Sequence, residues 1–166
     1  MVIAGSGPSY MRLAGQISQQ RAPVILAGHR DDVPDLLAAA DLAVVTSNWE
    51  ARQLFAQEAM RAGVPLVATE VGGLPELVGD AVRWVPAGDV DALADAVAEL
   101  LDDPPARDRY ARLGLERAAT WPTEEQTVDQ ITAVYTELTG RPMRPAGPTS
   151  PAGARETPDH DGQVQG

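Results

Sequence analysis

The sequence contains no cysteine and no lysine. The first absence removes disulfide cross-links and thiol chemistry. The second leaves arginine as the only basic side chain that is always charged at neutral pH. Aromatic residues are scarce, at 4% of the chain, so a core has to be built mainly from Ala, Val and Leu, which the 44% hydrophobic content supplies. Two histidines, His29 and His160, are too few for an all-protein zinc site, and no other feature requires a metal. No apolar run approaches the ~20 residues of a membrane span, and the N-terminus lacks the charged-then-apolar pattern of a signal peptide. Positive charge is outweighed too. The formal net charge of -11 argues against nucleic acid or an anionic membrane as the main partner. The expectation is a soluble, cytoplasmic protein, and 166 residues allow one domain with surface left over.

What is present is an alternation of short apolar runs with helical patterns. Val2-Ile3-Ala4 reads as a strand, Gly5-Ser6-Gly7-Pro8 as a turn, and Ser9 to Gln20 as a helix carrying Met11, Leu13 and Ile17. The turn lacks the third glycine of a dinucleotide fingerprint, since Tyr10 stands at that place, and a plain strand-to-helix turn is expected. Pro23 to Gly28 has the composition of a strand buried on both faces of a parallel sheet. His29-Arg30-Asp31-Asp32 follows as a polar loop, with Asp31 or Asp32 available to cap a short helix over residues 33–40. Further strands are expected over Asp41 to Ser47, Pro65 to Thr69 and Ala81 to Val85. Strands and helices at this spacing predict βαβ units, a parallel sheet and an α/β fold. Beyond Asp89 the pattern is helical. Leu93, Ala96, Val97, Leu100 and Leu101 mark one core-facing helix, and Pro104 opens another with Tyr110 and Leu113 inward. Thr123 starts a third, with Glu125 or Gln126 as a capping-box partner and an apolar stripe of Val128, Ile131, Val134, Tyr135 and Leu138. From Gly140 the composition is Pro, Gly and small polar residues, which predicts a disordered tail over residues 140–166.

The stretch from Ser47 to Glu58 stands at the centre of this pattern. A buried-looking strand runs into it, an amphipathic helix runs out, and ligands of open α/β sheets bind beyond the carboxyl ends of such strands. Glu50 and Glu58 are eight positions apart, about 12 Å along the axis if both belong to one helix. On a helical wheel Gln53, Gln57 and Arg61 form the outward stripe, and Leu54, Phe55, Ala59 and Ala62 the apolar one. Glu58 falls between Leu54 and Phe55, on the inward side. A carboxylate there needs a donor. The alternatives are a backbone N–H of a neighbouring loop, solvent, or a ligand. Glu50 reads equally well as a first-turn acid favoured by the helix dipole. Downstream, Gly72-Gly73 before Leu74-Pro75 places bare backbone N–H groups where an anion could approach, or simply makes a tight turn.

Taken in order, V-I-A-G-S-G-P, L-A-G-H-R-D-D-V-P-D-L-L, S-N-W-E with E-A-M-R-A-G-V-P-L-V-A-T, E-V-G-G-L-P-E-L-V and V-P-A-G-D resemble the C-terminal domain of retaining glycosyltransferases of family 4, over residues 2 to 138. The resemblance implies the GT-B architecture, two Rossmann-like domains facing a cleft. This chain would form the doubly wound, nucleotide-sugar-binding domain over residues 1–139. The sheet's first strand, the Arg and Lys diphosphate clamp and the N-terminal acceptor domain would all lie upstream of Val2. The family's Glu-x7-Glu motif falls on Glu50, implied to act on the transferred sugar, and on Glu58, implied to hold the ribose hydroxyls. The Gly28-His29-Arg30 loop matches the segment against the base. Ala51 and Arg52 fall beside donor sugar and phosphate, and Gly72 and Gly73 match the loop near sugar and diphosphate.

This chain departs from the family at Ala51, where relatives often have glycine, and Arg52 there offers positive charge in its place. The implied substrate is a nucleotide-diphosphate sugar, with no cofactor and no metal. The acceptor is a sugar, lipid or small molecule, and the full-length form would be cytoplasmic or peripheral at the inner membrane face. The alternatives are a non-catalytic nucleotide-binding or interaction module and a sugar-nucleotide epimerase of the same architecture.

Overall fold

The run Leu66-Val67-Ala68-Thr69 is buried at every position, as a strand covered on both faces must be. In the computed structural model, which describes residues 1–142, this run is the middle strand of a parallel three-stranded sheet. The elements, in chain order, are β1 (Val2–Ala4), α1 (Tyr10–Gln20), β2 (Ile25–Gly28), α2 (Val33–Ala38), β3 (Ala43–Val45), α3 (Leu54–Arg61), β4 (Leu66–Thr69), α4 (Leu74–Val78), β5 (Arg83–Val85), α5 (Val90–Asp102), α6 (Pro104–Ala118) and α7 (Glu124–Thr139). β3 and β5 flank β4, with Val44 opposite Val67 and Ala68 opposite Trp84. The chain forms two compact units, one from Met1 to Trp121 and one beginning at Pro122. The expected tail lies, beyond residue 142, outside the described residues.

β4 sorts its side chains by the period of a strand. Leu66 and Ala68 join a core cluster with Val45, Ala56, Ala59, Met60, Leu74 and Val78. Val67, between them, joins a second cluster with Val85, Ala96 and Leu100. The first core is closed by α3 and α4 and the second by α5, so helices cover both faces, as a Rossmann-like half-domain requires. Met60, Leu66, Leu74 and Leu100 are fully buried, each worth about 1.5–3 kcal/mol relative to exposure. Leu101, expected on the core side of α5, is 49% exposed. Ala96 and Leu100 are buried on that face, and Leu93 and Val97 pack against them half-buried, as expected.

The sheet is divided. Among the described residues β1 pairs only with β2, in parallel, and β3 only with β4. The doubly wound order expected from the resemblance places one more strand between β1 and β3, and the described residues supply none. The consequence for burial contradicts the sequence reading of β2. Neither β1, α1 nor β2 contains a fully buried residue. Ile25 is 64% and Met11 78% exposed. An apolar strand is buried only where a layer exists to cover it, and this pair is the edge of an interrupted sheet.

α6 holds the first core shut. Gly114 lets it approach α3, where Met60 lies 3.6 Å from the position a Cβ would take. That is ordinary contact, and the helix is worth about 0.5–1 kcal/mol more with alanine than with glycine. Gly114→Ala is therefore expected to raise the free energy of unfolding by about 0.5–1 kcal/mol, read as a higher urea midpoint at unchanged slope. At the other end of α6, the Arg117 Nε and the Trp121 indole N–H both donate to the Leu77 carbonyl, at 3.0 and 3.1 Å. These bonds satisfy the end of α4 and seat the loop that precedes it. In the second unit, α7 opens with the expected capping box, formed by Thr123 and Gln126.

Candidate functional site

The loop of residues 46–53 joins β3 to α3 at the carboxyl end of the sheet. It is fixed from outside at two points. The Thr69 hydroxyl, at the end of β4, donates to the Ser47 carbonyl at 2.7 Å. The Gly73 N–H donates to the Glu50 carbonyl at 2.8 Å. Contact between the two loops is backbone on backbone. A Cβ on Gly72 would lie 1.9 Å from the Glu50 carbonyl oxygen, and one on Gly73 would lie 2.1 Å from that of Ala51. Both glycines are thus required by loop-on-loop packing. The Gly73 N–H, expected to be bare, is used in that packing.

Inside the loop, Glu50 is half-buried and held by one oxygen. Its Oε1 accepts from the Ser47 hydroxyl at 2.6 Å and from the Gln53 side-chain amide at 3.3 Å. Among the described residues Oε2 has no recorded hydrogen bond. Glu50 is not a first-turn acid. α3 begins at Leu54, with Gln53 as its N-cap, so Glu50 belongs to the loop.

That late start corrects the helical wheel. α3 buries Ala56, Gln57, Ala59 and Met60. Gln57 is therefore inward, while Leu54, at 72% exposure, and Ala62 are outward. Glu58 is exposed and not inward. The reason is tertiary: α3 packs against both β4 and α6, and the small residues Ala56 and Ala59 allow that approach, leaving the Leu54–Glu58 side to solvent. The 12 Å helical separation of the two acids also lapses, because only Glu58 is helical. Among the described residues the Glu58 carboxylate has no recorded hydrogen bond or ion pair, so it is not an acid tied to a neighbouring backbone N–H.

The remaining candidates lie on two loops. Ala51 and Arg52 are exposed beside Glu50, and Arg52 has no recorded partner among the described residues. At the end of β2, Gly28 adopts a positive φ of 67° and its carbonyl accepts from the Gly5 N–H at 2.6 Å, extending the β1–β2 pairing; the turn into α1 comes later, at Pro8-Ser9, where the Gly7 carbonyl accepts from the Tyr10 N–H at 3.1 Å. His29 lies 3.2 Å from Asp31 and Arg30 pairs with Asp32, all in solvent. The Arg30 hydrogen bond holds the Asp32 carboxyl below its ordinary pKa and raises that of Arg30. It also explains why Asp32, the N-cap residue of α2, makes no side-chain cap: its carboxylate is turned to the guanidinium. Sequence reasoning missed Ser47, Gln53 and Thr69. The signal available was a hydroxyl three residues before Glu50 and an amide three residues after it. Trp49, 72% exposed next to Glu50, also went unnoticed. Among the described residues, no group of three or more His, Asp or Glu could hold a metal ion, and no helix is long and apolar enough to cross a membrane.

A family model described as "Glycosyl transferases group 1" matches residues 1–103. The lipopolysaccharide core biosynthesis mannosyltransferase LpsB of Rhizobium meliloti is 36% identical over 119 residues, 69% of this chain and 34% of LpsB. A glycogen synthase of Mycobacterium tuberculosis is 36% identical over 165 residues, 96% of this chain and 40% of the synthase. Among solved structures, Alr3699/HepE of Anabaena in complex with UDP-glucose superimposes with a TM-score of 0.75 at 26% identity, over 82% of this chain and 40% of that one. The chain thus spans between about a third and two-fifths of the length of these relatives.

Proposed function

The chain belongs to the glycosyl transferases group 1 family, and from that premise we propose that it forms the donor side of a retaining glycosyltransferase, binding a nucleotide-diphosphate sugar for transfer to an acceptor held elsewhere. It is a GT-B type glycosyltransferase domain, a Rossmann-like half-domain of the kind that binds nucleotide sugars. The donor, the retaining course and the residue roles are our reading.

The observation that carries it is the Glu50 carboxylate, fixed through Oε1 with Oε2 left over. It lies in the loop beyond β3, where α/β sheets take ligands. A sugar hydroxyl is a donor that suits such an oxygen. Glu58, exposed and without a partner among the described residues, is assigned to the ribose hydroxyls on its place in the motif. Gly28, His29 and Arg30 are assigned to the base. Ala51 and Arg52 are assigned to the sugar and diphosphate, and Gly72 and Gly73, packed against the backbone of Glu50 and Ala51, to shaping the loop beside them. Transfer with a nucleoside diphosphate as leaving group builds negative charge on the β-phosphate. Catalysis then consists chiefly of stabilising that charge and positioning the acceptor. Arg52 is the cation nearest in sequence to Glu50, and stabilising the diphosphate is the role we give it. Residues 1–139 would be the donor domain, and the acceptor, a sugar, lipid or small molecule, would lie against a further domain of the enzyme.

Two substitutions test the division of labour, with UDP and UDP-glucose as probes followed by amide shifts at millimolar nucleotide. Glu58→Ala is expected to weaken UDP by about tenfold or more, as loss of charged hydrogen bonds of about 1.5–3 kcal/mol requires. Glu50→Gln is expected to leave UDP affinity nearly intact and, in the enzyme assembled with its acceptor domain, to reduce turnover. Unchanged UDP affinity in Glu58→Ala would remove the ribose assignment. Parental turnover in Glu50→Gln would reduce Glu50 to a structural acid.

A further inference from the structure

Gln53 has a double contact that no other residue of the site shares. Its Oε1 accepts the Ala56 N–H at 2.9 Å, capping α3, while its Nε2 donates to Glu50 Oε1 at 3.3 Å. The two contacts dictate each other. A helix N–H can only donate and a carboxylate can only accept, so the amide has a single consistent orientation. Asp, Ser or Thr would cap the helix as well, but an ionised Asp has no proton to give, and Ser and Thr carry their one hydroxyl on a far shorter arm. A primary amide of this length meets both demands.

We propose that Gln53 is a positioning residue for donor recognition, tying the Glu50 carboxylate to the start of α3 so that Oε2 is presented to the sugar. The proposal rests on the donor-site reading above and adds to it the means by which Glu50 is aimed. Three features of the structure support it. Ser47 donates to the same Oε1 from the opposite side of the sequence, three residues before Glu50 as Gln53 is three after. A carboxylate held by two donors on one oxygen is restricted in its rotation, which biases the direction of the second oxygen. Gln53 is itself half-buried, and its carbonyl receives the side-chain amide of the buried Gln57 at 3.4 Å, so the residue that aims Glu50 is anchored to the core face of α3. Because α3 also carries Glu58, one amide fixes the relative placement of both acids. The sugar end and the nucleoside end of a donor would then be matched by one rigid unit.

The capping and aiming roles separate by mutation. Gln53→Ser keeps an N-cap acceptor and removes the donor to Glu50. Gln53→Glu keeps the shape and the cap and sets a second carboxylate against the first. The 166-residue chain and both variants are titrated with UDP and with UDP-glucose by amide shift perturbation, alongside a urea melt. The expected result is a UDP affinity within about twofold of the parent. UDP-glucose should be weakened about tenfold, with Gln53→Glu the more affected, and the melt of Gln53→Ser should lie close to the parent. An unchanged ratio of the two affinities in both variants would overturn the proposal, and so would an equal loss for UDP and UDP-glucose, which marks a merely structural residue. A parent chain that binds neither probe fails differently: it removes the donor-site reading itself, and the recognition role of Gln53 with it.

Discussion

Gly73→Ala is expected to destabilise the protein by at least the 1–3 kcal/mol typical of overpacking and to displace the loop that carries Glu50. The added methyl would stand 2.1 Å from the Ala51 carbonyl oxygen, and no rotamer change relieves a clash between Cβ and backbone. Either the 46–53 loop moves or the Gly73 N–H loses the Glu50 carbonyl, and each outcome disturbs the oxygen that Ser47 and Gln53 hold. Unlike Gly72, with φ of 54°, Gly73 is not in the left-handed region, so the effect isolates packing from backbone strain. Gly88 is the converse control. It has φ of 80° with nothing within 4 Å of an added Cβ, and alanine there costs only the left-handed penalty of about 1–2 kcal/mol. The measurement is the urea midpoint at unchanged slope, together with UDP-glucose affinity. If Gly73→Ala matches the parent in both, the two loops do not depend on their close contact.

The second large effect is expected in amide exchange. The Leu66–Thr69 strand is buried throughout, and its amides should exchange only through global unfolding. The β1–α1–β2 segment buries nothing fully, and its two strands pair only with each other. An isolated two-stranded pair is marginal in water, so this segment should open separately at low free energy. A gap of about 4 kcal/mol is modest against a domain stability of about 5–15 kcal/mol. It would make the Ile3 and Leu26 amides exchange about a thousandfold faster than that of Val67. Equal protection in the two segments would show that they unfold as one and that the divided sheet is not a mechanical weakness. An added strand that pairs with both β1 and β3 should abolish the difference.

The sequence by itself determined the order and kind of the elements. Short apolar runs such as P-L-V-A-T, alternating with helical patterns, suffice for a parallel α/β arrangement, because a strand covered on both faces has to be apolar at successive positions. Pro104 and the Thr123–Gln126 box fixed the starts of α6 and α7, since capping is a local matter of a few backbone groups. The ordered motifs were also enough to place the chain in its family. Tertiary structure decided which sides of those elements are inside. The wheel put Glu58 inward and Gln57 outward, and the packing of α3 between β4 and α6 reversed both. The composition of β2 promised burial that a divided sheet does not provide. The two glycines that looked like room for an anion are filled by the backbone of Glu50 and Ala51. Gln53, a surface residue on the wheel, became the link between an acid and a helix. Periodicity reports how a segment would bury itself against one partner. Where an element meets two partners or none, the outcome depends on distances between segments remote in sequence, and only the folded chain sets those.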